Sequence, residues 1–68
     1  MRRGMEYTNS QIRELIAEHI HSQRDRDLLV RRFVDGVKLE PLAEEFDLSV
    51  RQCKTIVSRG KTEVFKHL

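Results

Sequence analysis

The stretch Leu39-Glu40-Pro41-Leu42-Ala43-Glu44-Glu45-Phe46-Asp47-Leu48-Ser49-Val50-Arg51-Gln52-Cys53-Lys54-Thr55-Ile56-Val57 decides the fold of this 68-residue chain. Proline lacks an N–H and clashes with a preceding helical turn, so Pro41 is tolerated only in a first turn. A short helix therefore starts near Leu39 or Glu40, runs through Leu42, Ala43 and Phe46, and stops near Asp47. Ser49 and Gln52 have capping-box spacing and open a second helix. Two helices joined by only Asp47-Leu48-Ser49 must cross steeply and closely. That crossing needs a small residue on the first helix, and Ala43 supplies it. The turn must open with a residue that tolerates a positive φ. Glycine would be usual there, and Asp47 visits that region better than most other residues. Leu48 then seals the corner, and Cys53 and Ile56 turn inward at a spacing of three. Together these features describe a helix-turn-helix over residues 39–57.

Two further helices precede it. Thr8 and Gln11 form another capping box, and Ile12, Leu15, Ile16 and Ile20 repeat at helical spacing, giving a first helix over about 9–21. Ser22 with Asp25 opens the second, whose apolar stripe is Leu28, Leu29, Phe33 and Val34. Gly36 lies just past its end, where glycine takes the left-handed conformation cheaply. On the last helix Val50, Cys53, Ile56, Val57, Gly60 and Val64 share one face. Arg51, Lys54, Thr55, Ser58, Arg59, Lys61 and Thr62 fall largely on the other. Residues 1–7 have no period and read as a flexible basic arm. The expected architecture is all-α: a compact four-helix domain over residues 8–68 that contains the helix-turn-helix.

Composition agrees with one small helical domain. Hydrophobic residues make up 38% and charged residues 35%, too apolar for a disordered tail and too charged for a membrane protein. No apolar run exceeds three residues, so no transmembrane span or signal-peptide core is visible, and the cytoplasm is the default compartment. A single cysteine excludes an internal disulfide. The net charge is only +2, but it is unevenly placed. Residues 1–22 are neutral and residues 23–48 carry −2. Residues 49–68 carry +4, from Arg51, Lys54, Arg59, Lys61 and Lys66 against Glu63. A near-neutral body with a basic last segment points to a polyanionic partner.

The sequence also resembles a known family. Arg24-Asp25-Arg26-Asp27-Leu28-Leu29, ending in Phe33-Val34-Asp35-Gly36, resembles the helix before the helix-turn-helix in region four of bacterial sigma factors. Leu42-Ala43-Glu44-Glu45-Phe46, Leu48-Ser49-Val50 and Ser58-Arg59-Gly60-Lys61 are similar to further segments of that region. The likeness runs without gaps from about residue 11 to the end. Lys38, Pro41 and Asp47 depart from the family pattern, the last by replacing the turn glycine. The resemblance implies promoter DNA read in the major groove, with the base-reading positions falling on Val50, Arg51, Lys54 and Thr55. The chain is too short for the sigma regions that bind core polymerase and melt DNA, so the likeness suggests a small stand-alone regulator.

Catalytic or cofactor chemistry is not expected. Cys53 falls on the inward face and reads as structural. His19 and His21 point about 200° apart on a helix and cannot share a metal, and His67 reads as a surface group. Glu44-Glu45 and the pair Asp25 and Asp27 read as solvated charges or as partners for Arg24 and Arg26. The expected function is sequence-specific binding of double-stranded DNA in transcription regulation, with no enzymatic activity, metal or cofactor. Arg51, Lys54, Thr55 and Val50 would contact bases, Arg51 and Lys54 at guanine. Gln52, Ser58, Arg59 and Lys61 would contact phosphates. A domain this small makes few base contacts, so RNA polymerase or a second DNA-binding module, a homodimer included, is the further partner expected. The alternatives are a protein-interaction module that docks on RNA polymerase or another regulator through its acidic middle helices, and an RNA-binding adaptor.

Overall fold

In the computed structural model, which describes residues 8–66, the chain folds into four helices: α1 (Asn9–His19), α2 (Gln23–Phe33), α3 (Leu39–Glu45) and α4 (Val50–Phe65). No strand occurs among the described residues. The basic arm expected over residues 1–7, and His67, lie outside the described residues.

Each helix start is fixed locally. At α1 the Gln11 N–H donates to Thr8 Oγ1 (3.1 Å) and the Thr8 N–H donates to Gln11 Oε1 (2.8 Å). At α4 the Gln52 N–H donates to Ser49 Oγ (3.1 Å) and the Ser49 N–H to Gln52 Oε1 (2.9 Å). Both are reciprocal capping boxes. At α2 the Ser22 hydroxyl accepts from the Asp25 N–H (3.4 Å). Only α3 lacks a side-chain cap, because Lys38 stands at that position. Pro41 sits in its first turn, where the missing N–H costs no helical bond.

The turn between α3 and α4 is tight. Asp47 adopts φ 56°. The Leu48 N–H reaches back to the Ala43 carbonyl (2.8 Å) and the Asp47 N–H to the Glu44 carbonyl (3.3 Å), which is a Schellman ending. Leu48 and Cys53 then join one apolar cluster on either side of the Ser49 cap, a hydrophobic staple. A left-handed conformation is easiest for glycine and worst for β-branched residues. Asp47→Gly should therefore be neutral or raise stability by up to about 1 kcal/mol, and Asp47→Val should lower it by about 1–2 kcal/mol. Equal thermal midpoints for the two variants would contradict this turn geometry.

Two apolar clusters share α2 and α4. Leu28, Leu42, Ala43 and Cys53 are buried together where α2, α3 and α4 meet. Ile16, Leu29 and Val64 are buried together where α1, α2 and α4 meet. The neighbours Leu28 and Leu29 thus face different clusters, and Val57 packs against both. Gly60 is buried against Leu29: a Cβ built there falls 3.0 Å from Leu29 Cγ and closer still to both Leu29 methyls. The rings of Phe33 and Phe65 meet edge to face at 5.7 Å, closing the far end of α4 onto α2.

Four sequence expectations need correction. First, α1 stops at His19 rather than residue 21, because Ile20 turns extended and its carbonyl accepts from Arg26 Nε. Second, α3 stops at Glu45, two residues short of Asp47, because the chain turns left-handed there. Third, Glu45 is not simply solvated. Arg31 Nη2 donates to its Oε1 (2.9 Å) and Nε to its Oε2 (3.0 Å), tying α2 to α3. The Glu45 hydrogen bonds, and then that of Asp35, hold the Arg31 guanidinium above its ordinary pKa. Fourth, Arg24 pairs with Asp25 (3.1 Å), but Asp27 accepts from Gln23 (2.9 Å) while Arg26 serves the Ile20 carbonyl.

Candidate nucleic-acid interface

Helix α4 is divided lengthwise. Cys53, Gly60 and Val64 are buried, with Ile56 and Val57 half-buried beside them. Arg51, Gln52, Lys54, Thr55, Ser58, Arg59, Lys61 and Thr62 are exposed. All eight side chains assigned to DNA contact therefore stand on the accessible side of one helix, Val50 among them. Val50 corrects an expectation. Its spacing from Cys53 places it with the inward residues, yet it is 42% exposed and stands outside the apolar cluster that buries Cys53.

The cations of α4 differ from those of α2. On α2, Arg24 and Arg31 are engaged by carboxylates, and Arg32 Nη1 donates to the Val37 carbonyl (3.0 Å). Arg51, Lys54, Arg59 and Lys61 have no carboxylate partner among the described residues. The single acid of α4, Glu63, is taken by Lys66 (3.2 Å) at the end remote from Arg51. Like charges left without an ion-pair partner among the described residues along one helix face raise the local positive potential.

Two of the expected contact side chains have part of their hydrogen-bonding capacity used, and a third, Ser58, has only its backbone carbonyl engaged. Gln52 Oε1 is held by the Ser49 N–H, which leaves its Nε2 to donate outward. The Thr55 hydroxyl donates to the Arg51 carbonyl (3.1 Å), leaving an acceptor oxygen and a methyl facing out. The Ser58 carbonyl accepts from the Thr62 hydroxyl (3.1 Å), while the Ser58 hydroxyl is exposed.

Sequence reasoning missed one member of this surface. Arg24, at the start of α2, lines an open hollow with Leu48, Arg51, Gln52 and Thr55, and a second one with Arg59 and Glu63. It lies close enough to α4 to oppose, by its charge, the effect of burial on Cys53. The link spans two core elements, so no local pattern in the sequence carries it. Lys54, Ser58 and Arg59 line a further open hollow with Arg51 and Thr55 along the helix.

Cys53 is fully buried, and burial pushes its thiol pKa up. A protonated, enclosed thiol is a poor nucleophile. Its reaction with an aromatic disulfide reagent should be slow in the native protein and fast in denaturant. Rapid native labelling would show that the corner between α3 and α4 opens readily. Among the described residues no three His, Cys, Asp or Glu side chains stand together as a metal-binding group. No described helix is long and apolar enough to cross a membrane. Comparisons with family models, curated proteins and solved structures return no match for this chain.

Proposed function

We propose that this chain binds double-stranded DNA with sequence preference, in transcription regulation, and that α3, the turn and α4 act as a helix-turn-helix with α4 in the major groove. The observation that carries the reading is the row of Arg51, Lys54, Arg59 and Lys61, exposed and without carboxylate partners among the described residues, on a helix whose other side is buried. A major groove is about 12 Å wide and admits one α-helix. The N-terminal turns of such a helix come nearest the bases. Arg51 and Lys54 offer donors to guanine O6 and N7, Thr55 an acceptor and a methyl, and Val50 a methyl alone. Arg59, Lys61, Ser58 and the Gln52 carboxamide would face phosphates, and Arg24, paired with Asp25, borders the same surface across the hollow from Arg51.

Docking on RNA polymerase or another regulator through the acidic middle helices is the weaker reading. Asp25, Asp35 and Glu45 already engage Arg24 and Arg31 within the domain. Selection of bound molecules from a random duplex pool separates the readings. Enrichment of a short motif containing guanine is expected. A pool that stays random would contradict the proposal and favour a protein or RNA partner.

A further inference from the structure

Val50 is the one large hydrophobic side chain exposed among the described residues. It is the first residue of α4. The corner beside it is sealed without it, because Leu48 and Cys53 both pack into the cluster of Leu28, Leu42 and Ala43. The helix does not call for it either, since β-branched residues are middling helix formers and an exposed first-turn position accepts Ala or Glu more readily. Its sequence neighbour Arg51 is exposed and has no carboxylate partner among the described residues. An apolar tip beside an uncommitted guanidinium, at the end of the helix that would reach deepest into a groove, has a specific chemical complement.

We infer that Val50 reads the C5-methyl of a thymine in the major groove, beside a guanine held by Arg51. This inference rests on the proposed DNA-binding role of α4 and names the base class that its first turn selects. Among the four bases, only thymine presents an apolar group on the major-groove edge. A valine has no donor or acceptor with which to favour any other base. Contact between its methyls and the thymine methyl removes apolar area on both sides from water, a gain that is non-directional and proportional to that area. Thr55 also turns a methyl outward, but it follows Val50 by more than one helical turn and would meet a different base pair.

The test uses a duplex obtained by the selection described above. Each thymine in turn is replaced by deoxyuridine, which removes the C5-methyl and leaves every hydrogen-bonding group in place. Affinities are measured by fluorescence anisotropy for the parent and for Val50→Ala. In the parent, one replacement should weaken binding about fourfold, the effect of one methyl-sized group. That thymine should neighbour the guanine whose preference is lost in Arg51→Ala. In Val50→Ala, thymine and uracil at that position should bind alike. Alanine is the better helix former and Val50 is outside the core, so this variant is expected to keep its fold, with circular dichroism as the check. The inference is overturned if no replacement weakens the parent, or if the same discrimination persists in Val50→Ala, which would move the contact to Thr55. A parent that prefers particular sequences but ignores the thymine methyl would remove this inference alone. A parent with no sequence preference would remove the DNA reading as well.

Discussion

Gly60→Val should destabilise the domain by about 2–3 kcal/mol, or lower Tm by roughly 8–24 °C, because α2 and α4 touch at Gly60 with no room for a side chain. Even one added carbon falls against Leu29 Cγ and both of its methyls. Leu29 is fully buried between Ile16 and Val64, so it cannot swing away without disturbing α1 and the end of α4. Valine is somewhat better than glycine in a helix, which offsets only part of the cost. A core this small supplies about 3–5 kcal/mol in all, so the variant should be partly unfolded at moderate temperature. Gly60→Ala should lose less, since one carbon is added and about 1 kcal/mol of helix propensity is gained. A double-mutant cycle with Leu29→Ala should show coupling between the two sites, because shortening Leu29 relieves the clash. A Gly60→Val domain that melts with the parent would mean that α2 and α4 are farther apart than described.

The second large effect concerns binding. Arg51→Ala should cost about 1–3 kcal/mol on a selected duplex and relax the preference at one base pair. Lys54→Ala should act in the same direction. Both should lower the ratio of specific to non-specific affinity. Arg59→Ala and Lys61→Ala should weaken all duplexes alike, leave that ratio nearly fixed, and each reduce the salt slope by about one. All four side chains are exposed, so folding should be unaffected, and circular dichroism confirms this before binding is compared. If the four variants bind like the parent, α4 is not the element in contact with DNA.

The parts of this fold that were legible in the sequence are those set by local chemistry. Thr8 with Gln11 and Ser49 with Gln52 mark two helix starts because the bonds that make them span three residues. Asp47 and Gly36 mark chain reversals because few residues take a positive φ. Contacts between distant residues were not legible. Arg31 and Glu45 are fourteen residues apart, and no period links them. The end of α1 depends on Arg26 reaching back to the Ile20 carbonyl, which a repeat of isoleucines extending to residue 20 conceals. Val50 has the spacing of a core residue, but burial depends on which neighbouring elements the fold brings over it, and Val50 is left outside the cluster around Cys53. The polar face of α4 was legible from its period. That Arg51, Lys54, Arg59 and Lys61 lack carboxylate partners among the described residues was not, because pairing depends on which carboxylates the fold brings near.

The most direct measurement is nuclear magnetic resonance of the isotope-labelled protein titrated with a selected duplex. The account predicts that the largest shifts fall on the outward face of α4, from Val50 to Thr62, and on Arg24, with the buried residues Ile16, Leu29 and Val64 little changed. The side-chain signals of Arg51 and Lys54 should change with the duplex sequence, and those of Arg59 and Lys61 should not. Shifts concentrated on α1 and the outer side of α2, around Arg13 and Gln23, with α4 silent at saturating duplex, would contradict it.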